Sequence, residues 1–268
     1  MDDTPASGFL EIPERRKRKE TIIKVWDLFV RMSHWMTVIF FAIIYLKYRK
    51  FPIHAYAGEL MMVLMVIRLA WGFLGSKAAR FSSFWYSPKQ LFEYTIQMLR
   101  GRACYYASHN PMGSWMALTL ISLMLVNGSL GLLLYSSGQQ LGPFGEMVPA
   151  NWEDILKLLH KSLGHLTAAF VALHIVGVAW AARAHRENYV LAMITGHKRV
   201  PRNAEPSEIA DYPVYPDEKI PVRLRPAERW FNYRHPFMGT ILLLIGVILV
   251  VSEITEVAMN INKYLVAY

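Results

Sequence analysis

The sequence predicts an all-α membrane protein: a four-helix transmembrane bundle followed by a fifth C-terminal transmembrane helix. Three observations predict it. Hydrophobic residues make up 54% of the 268 and gather in long runs almost free of charge. Such runs are long enough to cross a ~30 Å hydrocarbon layer as helices. Lys and Arg concentrate in alternate connections between the runs, and a proline-punctuated stretch separates the fourth run from the fifth.

Residues 1–24 read as a basic cytoplasmic segment ending in the run Glu14 to Lys19. The first uncharged run, Ser33 to Leu46, is short for a span. It is expected to extend back over Val25 to Val30, with Asp27 and Arg31 at the headgroups. Lys47 to Lys50 close it, and Pro52 marks the turn. The second span runs from about His54 to Leu74 and carries one deep charge, Arg68. A polar, amphipathic connection, Gly75 to Pro111, leads to a third span from Gly113 to Tyr135 without a charged residue. Ser136 to Ile155 read as a loop with turn-forming Gly and Pro.

The fourth span covers Leu156 to Ala182, and residues 183–200 form a basic cap. Residues 25–200 thus make one four-helix domain. Residues 201–235 form a linker whose Pro201, Pro206, Pro213, Pro216, Pro221 and Pro226 cannot share one regular helix. The fifth span begins at Pro236, and residues 236–268 take it to the chain's end.

Orientation follows from charge. Of the 29 Lys and Arg, 22 lie before the first span or in the 75–111 and 183–235 connections, and six lie on the opposite side. The positive-inside rule then puts the N-terminus in the cytoplasm and the C-terminus in the periplasm, with the bacterial inner membrane as the location. The net charge of +9 is therefore a topogenic signal. It does not make a nucleic-acid surface, and the lipid bilayer is the first partner. No N-terminal stretch has the form of a cleaved signal. One cysteine, Cys104, excludes an internal disulfide, a multi-cysteine iron–sulfur site and a Cys-x-x-Cys-His attachment site.

The chemistry lies in the histidines. His160 and His174 are fourteen residues apart in the fourth span. That spacing turns a helix by about 1400°, roughly 40° short of four turns, and advances it ~21 Å. Both rings share one face, one near each surface. His34 opens the first span on the inner side, and His54 opens the second on the outer side. Matching by depth pairs His34 with His174 and His54 with His160. Two imidazoles from facing helices suit a six-coordinate haem iron built for electron transfer. Two such pairs predict two haems, non-covalently held. A single intramembrane histidine is more often a helix-contact residue, but four that pair by depth across three helices are hard to read that way.

His165 is nine residues before His174 and points to the opposite face, as a helix–helix hydrogen-bonding residue. Arg68 falls on the same face as His54 and requires an anion such as a haem propionate, or else snorkels to the inner headgroups. His109, His197 and His235 are interfacial and read as headgroup, propionate or quinone contacts. Gly58, Gly72, Gly164 and Gly177 would let porphyrin approach the backbone or let helices pack.

These motifs resemble the bacterial cytochrome b-561 and nickel–iron hydrogenase cytochrome b superfamily. The matching stretches are KVWDLFVRMSHW (Lys24 to Trp35), HAYAGELMMVLMVIRLAWGFLG (His54 to Gly75), ARFSSF (Ala79 to Phe84), HNPMG (His109 to Gly113), the His160–His174 pair, and HRENYVLAMITGHKR (His185 to Arg199). The resemblance implies a four-helix transmembrane haem bundle with two b haems on His34, His54, His160 and His174. It also implies electron passage between membrane quinone and a soluble or periplasmic redox partner. The linker and fifth span lie outside the family core.

The function expected is therefore that of a di-haem membrane subunit of a respiratory complex. Its partner would be a periplasmic redox protein such as a c-type cytochrome or a dehydrogenase or hydrogenase subunit. Quinone would take an apolar slot with a polar headgroup contact. Arg68, His109 and Asn110 are inner candidates for that contact, and Tyr135 and Glu153 are outer ones. A stand-alone quinone-linked enzyme, for instance one oxidising superoxide, ranks second because the outer loops are only weakly basic. A non-redox anchor or transporter ranks third. It would need buried charges in several spans or broken helices repeated in two halves.

Overall fold

The computed structural model describes residues 21–102, 104–139, 148–185, 187–200 and 214–216. The fifth span and most of the proline-rich linker fall outside the described residues. Within them lie strand β1 (Thr21–Lys24), helices α1 (Leu28–Leu46), α2 (Phe51–Leu74), α3 (Pro88–Leu99), α4 (Pro111–Gln139), α5 (Glu153–His185) and α6 (Tyr189–Thr195), and strands β2 (His197–Val200) and β3 (Val214–Pro216).

Helices α1, α2, α4 and α5 are each long and apolar enough to cross a membrane. The protein is thus a multi-pass membrane protein. Helix α1 packs on α2, α2 on α4, and α4 on α5, whereas the α1–α5 seam is at most lightly closed. The spans bury little of themselves: 11% of the most apolar window in α1, 6% in α4 and in α5, against 33% in α2. In α2, Ala57, Met61, Leu64 and Met65 recur at helical spacing and form its inward stripe. Phe40, Phe41, Ile44, Met124 and Leu125 pack on part of that stripe.

The tightest packing is at one end of the bundle, where the ends of α1 and α2 meet the connecting segments. There Ile23, Val25, Trp26, Val30, Trp71, Ala78, Ala79, Ala107 and Ala192 form one core. A three-stranded antiparallel sheet of order β2-β1-β3 covers it, with Ile22 opposite Arg199 on one side and Tyr215 on the other. This sheet was not expected from sequence. It ties the start of the chain to segments beyond α5, so the strongly basic connections gather at one end, called here the sheet end.

Asp27, expected at the headgroups, is buried within the protein, and it fixes where α1 begins. Its Oδ1 accepts from the Val30 backbone N–H (2.8 Å), the side-chain N-cap that satisfies an otherwise orphaned donor. Its Oδ2 accepts from Trp71 Nε1 (3.2 Å) and Ser76 Oγ (2.5 Å). The first span accordingly does not run back to Val25. The Val25 and Trp26 amides instead donate to the Gly196 carbonyl. Gly196 ends α6 at φ 85°, and a Cβ there would lie 2.7 Å from the Trp26 carbonyl oxygen. A side chain would therefore be both strained and obstructed.

Residues 21–24, expected to belong to the basic N-terminal segment, form β1. Ile22, Ile23 and Lys24 are buried in the sheet, so the helical domain includes β1. The loop expected from Ser136 likewise begins later, because α4 continues to Gln139.

Candidate functional site

Helix α5 is continuous from Glu153 to His185. It therefore holds His160 and His174 at the ~21 Å spacing of an unbroken helix. At the end opposite the sheet, His54 in the first turn of α2 and His160 in α5 face each other with ring centres 5.9 Å apart and planes at 87°. Each is oriented by a backbone carbonyl of a neighbouring span. His54 Nδ1 is 3.0 Å from the Ile44 carbonyl oxygen of α1, and His160 Nδ1 is 3.0 Å from that of Asn127 in α4. A carbonyl only accepts, so each Nδ1 carries the proton and each Nε2 keeps a free lone pair. That is the tautomer a metal-binding imidazole needs, with its other nitrogen anchored. Gly131 lets His160 lie close to α4, since a Cβ there would be 3.0 Å from the ring's Cε1.

At the sheet end the second pair is made differently. His34 is half-buried in α1 and interacts electrostatically with His174 of α5 and with Arg68 of α2. Among the described residues its buried Nδ1 has no hydrogen-bond partner. Arg68 Nη1 is likewise buried and unpartnered, with Asp27 as the interacting acid.

His109 sits between Trp26 (4.8 Å, edge-on) and Phe84 (4.4 Å, tilted). Burial, reinforced by the charges of Arg68 and Lys198, lowers its pKa to about 3, so it is neutral at physiological pH. Its Nδ1 is buried without a partner. Asn110 is committed locally: its Oδ1 accepts from Gly113 N (2.8 Å) and caps α4. Tyr135 in α4 and Glu153 at the start of α5 are both half-buried, at the far end.

The other histidines separate from the pairs. His165 is exposed on α5 and, among the described residues, does not bridge helices as expected. His185 Nε2 lies 3.1 Å from Tyr94 Oη and joins α5 to α3. Of the four glycines noted in the sequence, Gly72 faces the Phe81 ring and Gly164 the Asn127 amide, which makes them packing positions. Gly58 and Gly177 border open space, one turn from His54 and from His174 respectively.

Sequence reasoning missed Asp27, the Ile44 and Asn127 carbonyls, Gly131, and the buried ion pair of Lys198 with Glu187 (3.0 Å) at the sheet end. Asp27 had a signal, a short acceptor placed just before an apolar run. A backbone carbonyl has none.

Whether a haem fits can be tested on these residues. Metal-bound imidazole nitrogens about 2 Å from one metal, each with its ring centre roughly 1 Å behind, put the two ring centres roughly 6 Å apart. The far-end pair meets that separation. The open space beside Gly58 and Gly177 and the unpartnered Nη1 of Arg68 suit a large planar anionic ligand. Among the described residues no three His, Cys, Asp or Glu gather as a bare-ion site.

A four-helix membrane bundle with histidines paired across it is the build of a membrane b-type cytochrome. The family model for prokaryotic cytochrome b561 matches residues 25–196, more than half of the chain, and the protein belongs to that family. Its members bind haem b and serve electron transfer in a membrane. Neither the curated proteins nor the solved structures supply a match.

Proposed function

We propose that the protein carries two b haems and passes electrons across the bacterial inner membrane. One terminus of this path is the quinone pool, and the other is a periplasmic redox partner such as a c-type cytochrome or a dehydrogenase or hydrogenase subunit. The observation that carries the reading is the far-end pair, His54 and His160, each with Nδ1 on a backbone carbonyl and ring centres 5.9 Å apart.

When bound, the haems supply the one-electron chemistry. The chain supplies position and environment. His54 and His160 would hold the outer iron, and His34 and His174 the inner one. Helix α5, ligating at both levels, fixes the spacing as a rigid rod. Apolar walls on α1, α2 and α4 exclude water. Arg68, whose buried Nη1 has no hydrogen-bond partner among the described residues, would receive a propionate or a reduced quinone oxygen. Neutral His109 would present a hydrogen-bonding nitrogen to a quinone carbonyl. The positive-inside rule makes the sheet end cytoplasmic, and the fifth span would carry the C-terminus to the periplasm.

The test is direct. Protein purified in detergent is expected to give a b-type reduced-minus-oxidised spectrum and two haems per chain by haem extraction. One haem per chain would overturn the di-haem reading, and none would overturn the electron-transfer role as well.

A further inference from the structure

Outside the four spans, the sheet end presents an apolar surface that the bundle does not use. Helix α3 begins with a capping box, Ser87 with Gln90, and Pro88 in its first turn, so its placement in the chain is well defined. It turns Tyr94 (3% exposed) and Met98 (5%) inward. On its other side Phe92 is 67% exposed and Leu99 64%. These two are seven residues apart, about 20° short of two turns, and so share one outward face. Trp85, three residues before the helix, is 73% exposed. Lys89, on the same helix, has 84% of its side chain exposed, and Arg100 and Arg102 just beyond the helix are also exposed.

Height decides what covers this face. Helix α3 packs along α4, and Trp115 Nε1, one turn into α4, donates to the Tyr86 carbonyl at 3.1 Å. The entry to α3 is therefore level with the first turns of a membrane span, not beyond its end. On α4, Trp115 and Val126 are also exposed, and their spacing of about three turns puts them on one side of that span. An aromatic and apolar stripe flanked by Lys and Arg at that height matches the headgroup region, where indoles collect and basic groups meet anionic lipid.

We propose that Trp85, Phe92 and Leu99 seat α3 in the bilayer interface at the sheet end, with Lys89, Arg100 and Arg102 on anionic lipid headgroups. The proposal rests on the membrane assignment and not on the haem ligands.

Because Cys104 is the one cysteine and is free, a nitroxide scan is practicable on the full chain. In a Cys104→Ser background, labels are placed at Phe92→Cys, at exposed Lys77→Cys and at lipid-facing Val126→Cys. The protein is reconstituted in phosphatidylglycerol vesicles, with haem content as the folding control. The Phe92 label is expected to be severalfold more accessible to oxygen relative to a nickel chelate than the Lys77 label, and less so than the Val126 label. A Phe92 label as open to nickel as that at Lys77 would mean the face is in water. A label shielded from both reagents would mean a protein covers it. Either result overturns the proposal.

Replacing phosphatidylglycerol by phosphatidylcholine is expected to shift the Phe92 ratio toward water. The triple change Lys89→Gln, Arg100→Gln, Arg102→Gln should abolish that lipid dependence. Indifference to lipid charge in the parent would overturn the headgroup contact.

Discussion

At the end opposite the sheet, two histidines from α2 and α5 face each other, and each is steered by a main-chain carbonyl of a third or fourth span. At the sheet end, His34 and His174 come from α1 and α5, the His34 Nδ1 has no acceptor among the described residues, and a buried guanidinium stands close by. With haems bound as proposed, the first arrangement would push electron density onto the ligating nitrogens and favour an oxidised, more positive iron. The second would withhold that density and add a positive charge, which would favour the reduced state. The two proposed ligand sets would then be electrically unequal, and an electron would rest preferentially at the sheet end.

Deleting ligands tests the comparison most severely. His54→Ala or His160→Ala is expected to lower the haem count from two per chain to one and leave the sheet-end haem. His34→Ala or His174→Ala should do the reverse. If any one of the four changes removed both haems, the two ends would not be separable sites. His165→Ala should leave the count unchanged, since that residue is exposed.

Next in size is the order of potentials. A spectroelectrochemical titration of the purified protein is expected to resolve two steps, with the sheet-end haem reduced first. Arg68→Gln should lower that step and spare the other. A unit charge several ångströms away in a medium of effective dielectric near 20 is worth on the order of 1–2 kcal/mol. Coincident steps in the parent protein would remove the asymmetry.

A smaller effect is expected at Gly131. An added Cβ would lie 3.0 Å from His160 Cε1, so Gly131→Ala must displace the ring by a few tenths of an ångström. Partial loss of the far-end haem is expected, measured by extraction, with the sheet-end haem retained.

The smallest effect concerns pH. His109 is held down to about 3 from an ordinary 6.5, chiefly by burial. Above 6.5 the folded and unfolded states are both neutral there, and the group has no influence on stability. As pH falls from 6.5 toward 3 the unfolded chain takes up a proton that the folded chain refuses, so stability is lost across that window. Thermal melts should show this acid loss, weakened in His109→Gln. An unchanged slope would mean that the ring is protonated in place.

Much of this was legible in the sequence. Four runs of apolar residues became four helices because a membrane span needs only length and a lack of charge, both local properties. The pairing of His54 with His160 was also legible, since helical rise and the sidedness of Lys and Arg suffice to match depths. The strand Thr21–Lys24 was not, because four residues after a basic run carry no period. They become a strand only when His197–Val200 and Val214–Pro216 lie on either side. The burial of Asp27 was not legible for a related reason: composition leaves a carboxylate near a span exposed, whereas the fold supplies Trp71 and Ser76 as donors.

By itself, then, the sequence determined the number of described spans, their alternation and the levels of the four paired histidines. These depend on spacing along a single chain. Only the tertiary structure decided which imidazoles are anchored and which are not. The acceptors are carbonyls of Ile44 and Asn127, and a carbonyl is present at every residue. Its role is set by which neighbouring helix turns it toward a ring.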